Sequence, residues 1–187
     1  MAQHGAPTLL FETAADFETW LEENYTDETG VWLKIAKAGS GHKTLTVGEA
    51  LDLALCFGWI DGQRRGLDDD FYLQSYTPRR KRSRWSQINR DKVAELSAAG
   101  RMRPSGLAEV ERAKADGRWD EAYGPQRSAT VPEEMQKALE GNPKALAFFE
   151  TLNKVNRFAF IYRYQHAKRD QTKDNLIQRL AEGRPLY

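Results

Sequence analysis

The sequence predicts an α+β protein: a small antiparallel β-sheet packed with helices within residues 1–116, a connector at 117–130, and an all-helical C-terminal part at 131–187. Three observations predict it. Val31, Leu33 and Ile35 alternate with Trp32 and Lys34, the period of a strand. Two more strand-like runs, 59–66 and 71–76, flank the polar Asp68-Asp69-Asp70 and read as a hairpin. From residue 131 onward the apolar residues recur at helical spacing, as in the i, i+3, i+4, i+7 stripe of Val155, Phe158, Ala159 and Tyr162.

Thr13 opens the first helix, with Asp16 three residues on in a capping-box position and Phe17, Trp20 and Leu21 on one stripe. Gly30 ends it. The glycine-containing loop 38–44 lies between a strand and a helix, but a phosphate loop needs Gly directly before Lys-Ser/Thr, and here His42 intervenes. The helix begins instead at Thr46, where Glu49 completes a capping box. Ala50, Leu51, Leu53, Ala54, Leu55 and Cys56 leave that helix almost no polar face, so it is a core helix and Cys56 an inert buried thiol. Gly58 stops it. The three aspartates lack the spaced ligands of a calcium loop and read as a solvated turn. After Pro78 a basic run leads into a helix that Ser83 or Ser86 caps and that ends near Gly100. Further helices are expected at 105–116, 132–140, 143–152, 154–167 and 172–182. Pro132 and Pro143 suit first helical positions, and Asn142 suits a cap.

Hydrophobic residues make up 40% of the chain and charged residues 29%, a folded rather than a disordered composition. No run approaches the roughly 18 apolar residues of a membrane span, so no membrane insertion is expected. Met1–Leu10 lacks the basic start and long apolar core of a secretory signal. The single cysteine excludes an internal disulfide, and together these features predict a cytoplasmic location. Net charge is +1, yet residues 1–30 carry seven acids and no Lys or Arg, while 79–92 carry seven bases against Asp91 alone. Such blocks can pair with each other inside one fold, or leave a basic surface for an anionic partner.

Two segments combine residue types that a fold alone does not require. If 59–66 is a regular strand, Trp59, Asp61, Gln63 and Arg65 share one face, and an aspartate there is expected to be held by an arginine or by backbone N–H groups. Arg79, Arg80, Lys81, Arg82 and Arg84 precede a helix start, where free N–H groups and forked donors suit carboxylate or phosphate. Trp85 and Asn89 lie one turn apart, near Ser83 and Ser86. Trp59, Asp61, Arg65, Arg79, Arg80, Ser83, Trp85, Ser86 and Asn89 are therefore the candidate site for a small anionic or aromatic molecule. An internal network of the same charges is the plain structural alternative. Nucleic acid is a further candidate partner, set against a near-neutral chain without RNP or zinc motifs. His4, His42 and His166 show no ligand spacing, and no Gly-x-Ser-x-Gly occurs. No catalytic residue, metal or cofactor is assigned, and an enzyme reading would rest on Asp61 as general base. Nothing in the sequence sets an oligomeric state.

The blocks Ala54-Leu-Cys-Phe-Gly-Trp-Ile-Asp-Gly62, Tyr76-Thr-Pro-Arg-Arg-Lys-Arg-Ser-Arg-Trp-Ser-Gln-Ile-Asn89 and Gly100-Arg-Met-Arg-Pro-Ser-Gly106 resemble signature blocks of the YdeI/OmpD-associated family. The stretch from about 131, with Ala167-Lys168-Arg169 and Thr172-Lys173, resembles that family's helical OmdA module. The resemblance covers nearly the whole chain. It implies an association with resistance to bacteriocins or cationic peptides and with outer-membrane proteins, and it brings no established catalytic residues.

Overall fold

A computed structural model describes residues 5–124 and 130–187, which fall into two compact units, Met1–Tyr123 and Gly124–Tyr187. His4 and residues 125–129 of the expected connector lie outside the described residues. Residues 117–123, the start of that stretch, fold back on the first unit: Trp119 packs against its core, and Tyr123 forms a parallel bridge with Ser86.

The first unit contains four strands, β1 (Thr8–Leu9), β2 (Val31–Ala36), β3 (Trp59–Gly66) and β4 (Phe71–Pro78), in the order β1-β2-β4-β3. Its helices are α1 (Ala14–Asn24), α2 (Val47–Cys56), α3 (Gln87–Ala98) and α4 (Pro104–Ala115). The class is α+β, as expected, but the sheet is mixed rather than purely antiparallel. β1 pairs in parallel with β2, and two residues are too few to carry a strand signal of their own.

Local chemistry accounts for most boundaries. Thr13 with Asp16 and Thr46 with Glu49 form complete capping boxes at the starts of α1 and α2. Ser86, not Ser83, caps α3 by accepting from the Asn89 N–H at 3.1 Å. The hairpin turn is closed by Asp68, whose carboxylate accepts from the N–H groups of Asp70 and Phe71 at 3.0 and 2.7 Å.

Val31, Tyr76 and Asp61 are cross-strand partners and share the sheet face that the helices cover. There the Phe17 ring of α1 lies 6.0 Å from that of Tyr76, and the Tyr76 hydroxyl reaches the Val47 carbonyl of α2 at 3.4 Å. α2 is the hub, touching α1, β3, α3 and α4. A Cβ at Gly106 would collide with the Cys56 carbonyl, so α4 crosses the end of α2 at a separation only glycine permits. Gly58, at φ +82°, reverses the chain beside the same crossing. The third signature block therefore has a packing role.

The acidic first helix finds its arginine outside the 79–92 block. Glu18 and Glu22 hold Arg103, at 3.0 and 2.8 Å.

The second unit is helical: α5 (Glu133–Glu140), α6 (Pro143–Thr151), α7 (Lys154–Gln165) and α8 (Asp170–Ala181) around Met135, Leu139, Phe149, Phe160 and Leu180. Asn142 caps α6 and Pro143 takes its first turn, whereas Pro132 stands at the cap of α5, one position earlier than expected.

Candidate functional site

The two segments singled out by residue type run side by side. Trp59 on β3 lies opposite Pro78 on β4, and the Arg79 N–H donates to the Gly58 carbonyl at 3.0 Å. Both tryptophans are 1% exposed and belong to one core, yet their surroundings differ. Trp59 meets Trp20 edge-on at 6.0 Å and donates its indole N–H to the Tyr25 carbonyl at 2.8 Å, so its polar atom is satisfied and its role is packing. Trp85 lies 3.6 Å beneath the Arg79 guanidinium and 4.8 Å from Trp119, and its indole N–H has no acceptor among the described residues.

Asp61 is open to solvent, and of the two partners expected for its charge, an arginine or backbone N–H groups, it has its own backbone N–H. A bulge between Asp61 and Arg64 shifts the register, so that Arg64 rather than Gln63 stands opposite Gln74. Arg64 thereby moves to the face of Asp61, donating to the Gln74 side chain at 3.0 Å. Arg65 moves to the other face and lies 3.8 Å over Trp32. Asp61 makes no ion pair within 4.0 Å among the described residues. Crowding by protein pushes its carboxyl above the usual range, opposed by its own backbone N–H and by the charges of Arg79 and Arg64.

Arg79 is the centre of the arrangement. It is 5% exposed, and burial pulls its pKa down to about 10 against the opposing charges of Glu109 and Asp61. Its Nη1 donates to the Arg84 carbonyl at 3.0 Å, while Nε and Nη2 have no acceptor among the described residues. The rest of the basic run is different: Arg80, Lys81 and Arg82 are exposed on a turn in which the Ser83 hydroxyl accepts from the Arg80 N–H at 2.9 Å. Ser86 and Asn89 are buried at the cap of α3. Of the nine candidates, Arg79, Trp85 and Asp61 thus form one neighbourhood. Trp59, Ser83, Ser86 and Asn89 frame it, and Arg65 and Arg80 point elsewhere.

Four residues around Arg79 escaped the sequence reading. Glu109 of α4, 5% exposed, accepts from Arg118 Nη1 at 3.1 Å and pairs with Arg112. Arg118 also donates to the Ser83 carbonyl at 2.8 Å, and Arg112 to the Arg79 carbonyl at 3.3 Å. Trp119 covers Trp85. Its presence in a stretch otherwise rich in Gly, Pro and Ser was the available signal, since a connector has no use for a tryptophan.

A separate hollow of about 510 Å³ lies between residues 35–47 and Tyr72. Two of its polar groups are already engaged: Lys37 donates to the Asp68 carbonyl at 2.6 Å, and His42 lies 3.6 Å from Asp70. The Glu49 carboxylate occupies the start of α2, taking the Thr46 N–H at 2.7 Å, which disfavours a phosphate there. Cys56 is buried and its thiol is pushed up by that burial, which does not fit a nucleophile. Among the described residues no three His, Cys, Asp or Glu side chains gather as a metal site, and no helix is long and apolar enough to cross a membrane.

Residues 9–109, more than half of the chain, match the family model described as Domain of unknown function (DUF8412). The chain belongs to that family. Residues 128–183 match the model described as Bacteriocin-protection, YdeI or OmpD-Associated. The YdeI/OmpD-associated resemblance read from the residues is thus shown for the end of this DUF8412 protein, while the blocks around Trp59, Arg79 and Gly106 fall within the DUF8412 match. No curated protein and no solved structure matches the chain.

Proposed function

We propose that this DUF8412 protein binds a small molecule through an anionic group, with Arg79 as the anchor and Asp61 at the solvent-facing side of the same site. One observation carries the reading: a guanidinium 5% exposed, lying on Trp85, with Nε and Nη2 lacking acceptors among the described residues. Burying a charge without full hydrogen bonding is costly, and an oxyanion supplies both the missing acceptors and the opposite charge. Asp61 faces whatever part of the ligand remains outside, where a donor or cation suits it. The bacteriocin-protection description attached to 128–183 names a tolerance setting, and ligand binding within that setting is part of the proposal on the strength of the match alone.

The test is a thermal-shift titration with inorganic phosphate and with acetate, against chloride at equal ionic strength. The wild-type melting temperature should rise with at least one of the two oxyanions. Arg79→Lys keeps the charge but loses the fork, and should abolish the rise. Replacing Arg80, Lys81 and Arg82 by Ala should leave it intact, because those side chains are on the exposed turn. If neither oxyanion shifts the wild type, the reading is wrong.

A further inference from the structure

Arg79 has company among the buried donors. Four nitrogens on three side chains have no acceptor among the described residues: Arg79 Nε and Nη2, Arg118 Nη2 and Trp85 Nε1. They belong to one cluster. The Arg79 guanidinium lies 3.6 Å from the Trp85 ring, and Arg79 and Arg118 donate through their Nη1 atoms to consecutive carbonyls, Arg84 at 3.0 Å and Ser83 at 2.8 Å. All four are donors, and the one buried acceptor of the cluster without a hydrogen bond, Glu109 Oε2, is already held by the Arg112 ion pair.

Of the charges around these donors, Arg79, Arg112 and Arg118 stand against Glu109 and Asp116, with Arg118 bonded to both carboxylates at 3.1 and 2.8 Å, and against Asp61 on the solvent side of Arg79. Four unpartnered nitrogens carry roughly six N–H hydrogens, more than the roughly four acceptor positions of a carboxylate. A phosphoryl group presents three strongly accepting oxygens and up to two negative charges.

We infer that the group recognised at Arg79 is a phosphoryl-type oxyanion, bound by the guanidiniums of Arg79 and Arg118 and the indole N–H of Trp85. The inference rests on the anion-binding reading above and makes it specific. Glu109 is a positioning residue: it holds Arg118 and, with Arg112 spanning to the Arg79 carbonyl at 3.3 Å, ties α4 to the end of β4. Asp61, a carboxylate, stays on the solvent side, where it disfavours a second anionic group on the ligand.

Calorimetric titration of the full chain with inorganic phosphate, sulfate and acetate at fixed ionic strength tests the inference. Phosphate is expected to bind at least about tenfold more tightly than acetate, one lost charge-assisted hydrogen bond being worth about that factor. Binding should tighten from pH 6 to pH 8 as the dianion forms. Trp85→Phe, which keeps a ring under Arg79, and Arg118→Lys should each weaken phosphate about tenfold, with native circular dichroism confirming the fold. Acetate binding as tightly as phosphate would overturn the phosphoryl assignment and leave anion binding standing. Phosphate affinity untouched by both substitutions would overturn the donor set. No binding of any oxyanion would overturn both this inference and the reading beneath it.

Discussion

Asn156 in the second unit and Arg79 in the first are polar side chains of nearly equal burial, 6% and 5% exposed, in opposite situations. Asn156 is fully used. Its Oδ1 accepts from the N–H groups of Leu186 and Tyr187, both at 2.9 Å, and its Nδ2 donates to the Tyr187 carbonyl at 3.2 Å. The asparagine is a clamp for the C-terminal tail, set in a core of Met135, Phe149, Phe160 and Leu180. Arg79 leaves two of its three nitrogens without acceptors, and its neighbours Trp85 and Arg118 leave one each. Among the described residues, every buried side-chain atom without a partner lies in the first unit. A region that only needs to be stable satisfies its polar atoms internally, as in α5–α8. The first unit leaves Ser75 Oγ, Arg103 Nε and Glu109 Oε2 unsatisfied besides the nitrogens of Arg79, Trp85 and Arg118, and under the function proposed above those nitrogens are kept open for a ligand at a cost in stability.

Three substitutions sharpen or break that contrast. The largest effect belongs to Glu109→Gln, which leaves Arg112 and Arg118 without their buried counter-charge. The loss should be about 3 kcal/mol in chemical denaturation, the low end for a broken buried pair. Added phosphate should recover part of it, because the cluster becomes more positive. A neutral outcome would mean that the cluster is solvated rather than dry. Asn156→Ala comes next, at about 1–3 kcal/mol for the stranded tail groups, with no recovery by phosphate. All five tryptophans precede residue 124, so native tryptophan emission should be unchanged in that variant while the far-ultraviolet melting curve shifts down. Recovery by phosphate there would remove the distinction between the two regions.

Asp61→Asn has the smallest effect. The fold holds the Asp61 proton to a higher pH than the unfolded chain does, because crowding disfavours the carboxylate. Its contribution therefore favours the fold below the usual carboxylate range and is lost as pH rises through the raised folded value. Asparagine keeps the neutral form at all pH values. The variant should match or slightly exceed wild type at pH 7, within about 0.5 kcal/mol, and the difference should close in acid. Melting curves at pH 7 and pH 3 measure it. A marked loss at pH 7 would mean that the Asp61 carboxylate is held structurally after all.

Much of the fold was legible because its signals are local. Thr13 and Asp16, Thr46 and Glu49, Ser86 and Asn89, and Asn142 and Ala145 are three residues apart, so cap and partner can be read from one stretch of chain. The hairpin turn at Asp68, the apolar α2 and the helical stripes after 131 are local in the same sense. The sequence by itself also put Asp61 on one strand of a short hairpin and Arg79 and Trp85 in the segment that follows the other strand. Only the tertiary structure decided which of the basic residues turns inward. It moved Arg65 across the sheet by one bulged position, brought β1 alongside β2 in parallel, and set Gly106 against Cys56. It also brought Glu109 and Arg118 to Arg79 across about 30 and 39 positions of chain. Contacts at that separation depend on how α4 crosses α2, and no residue pattern within a single element carries the information. The charge of an arginine is written in the sequence. Whether it is buried, paired or left with open donors is settled by the residues the fold packs around it.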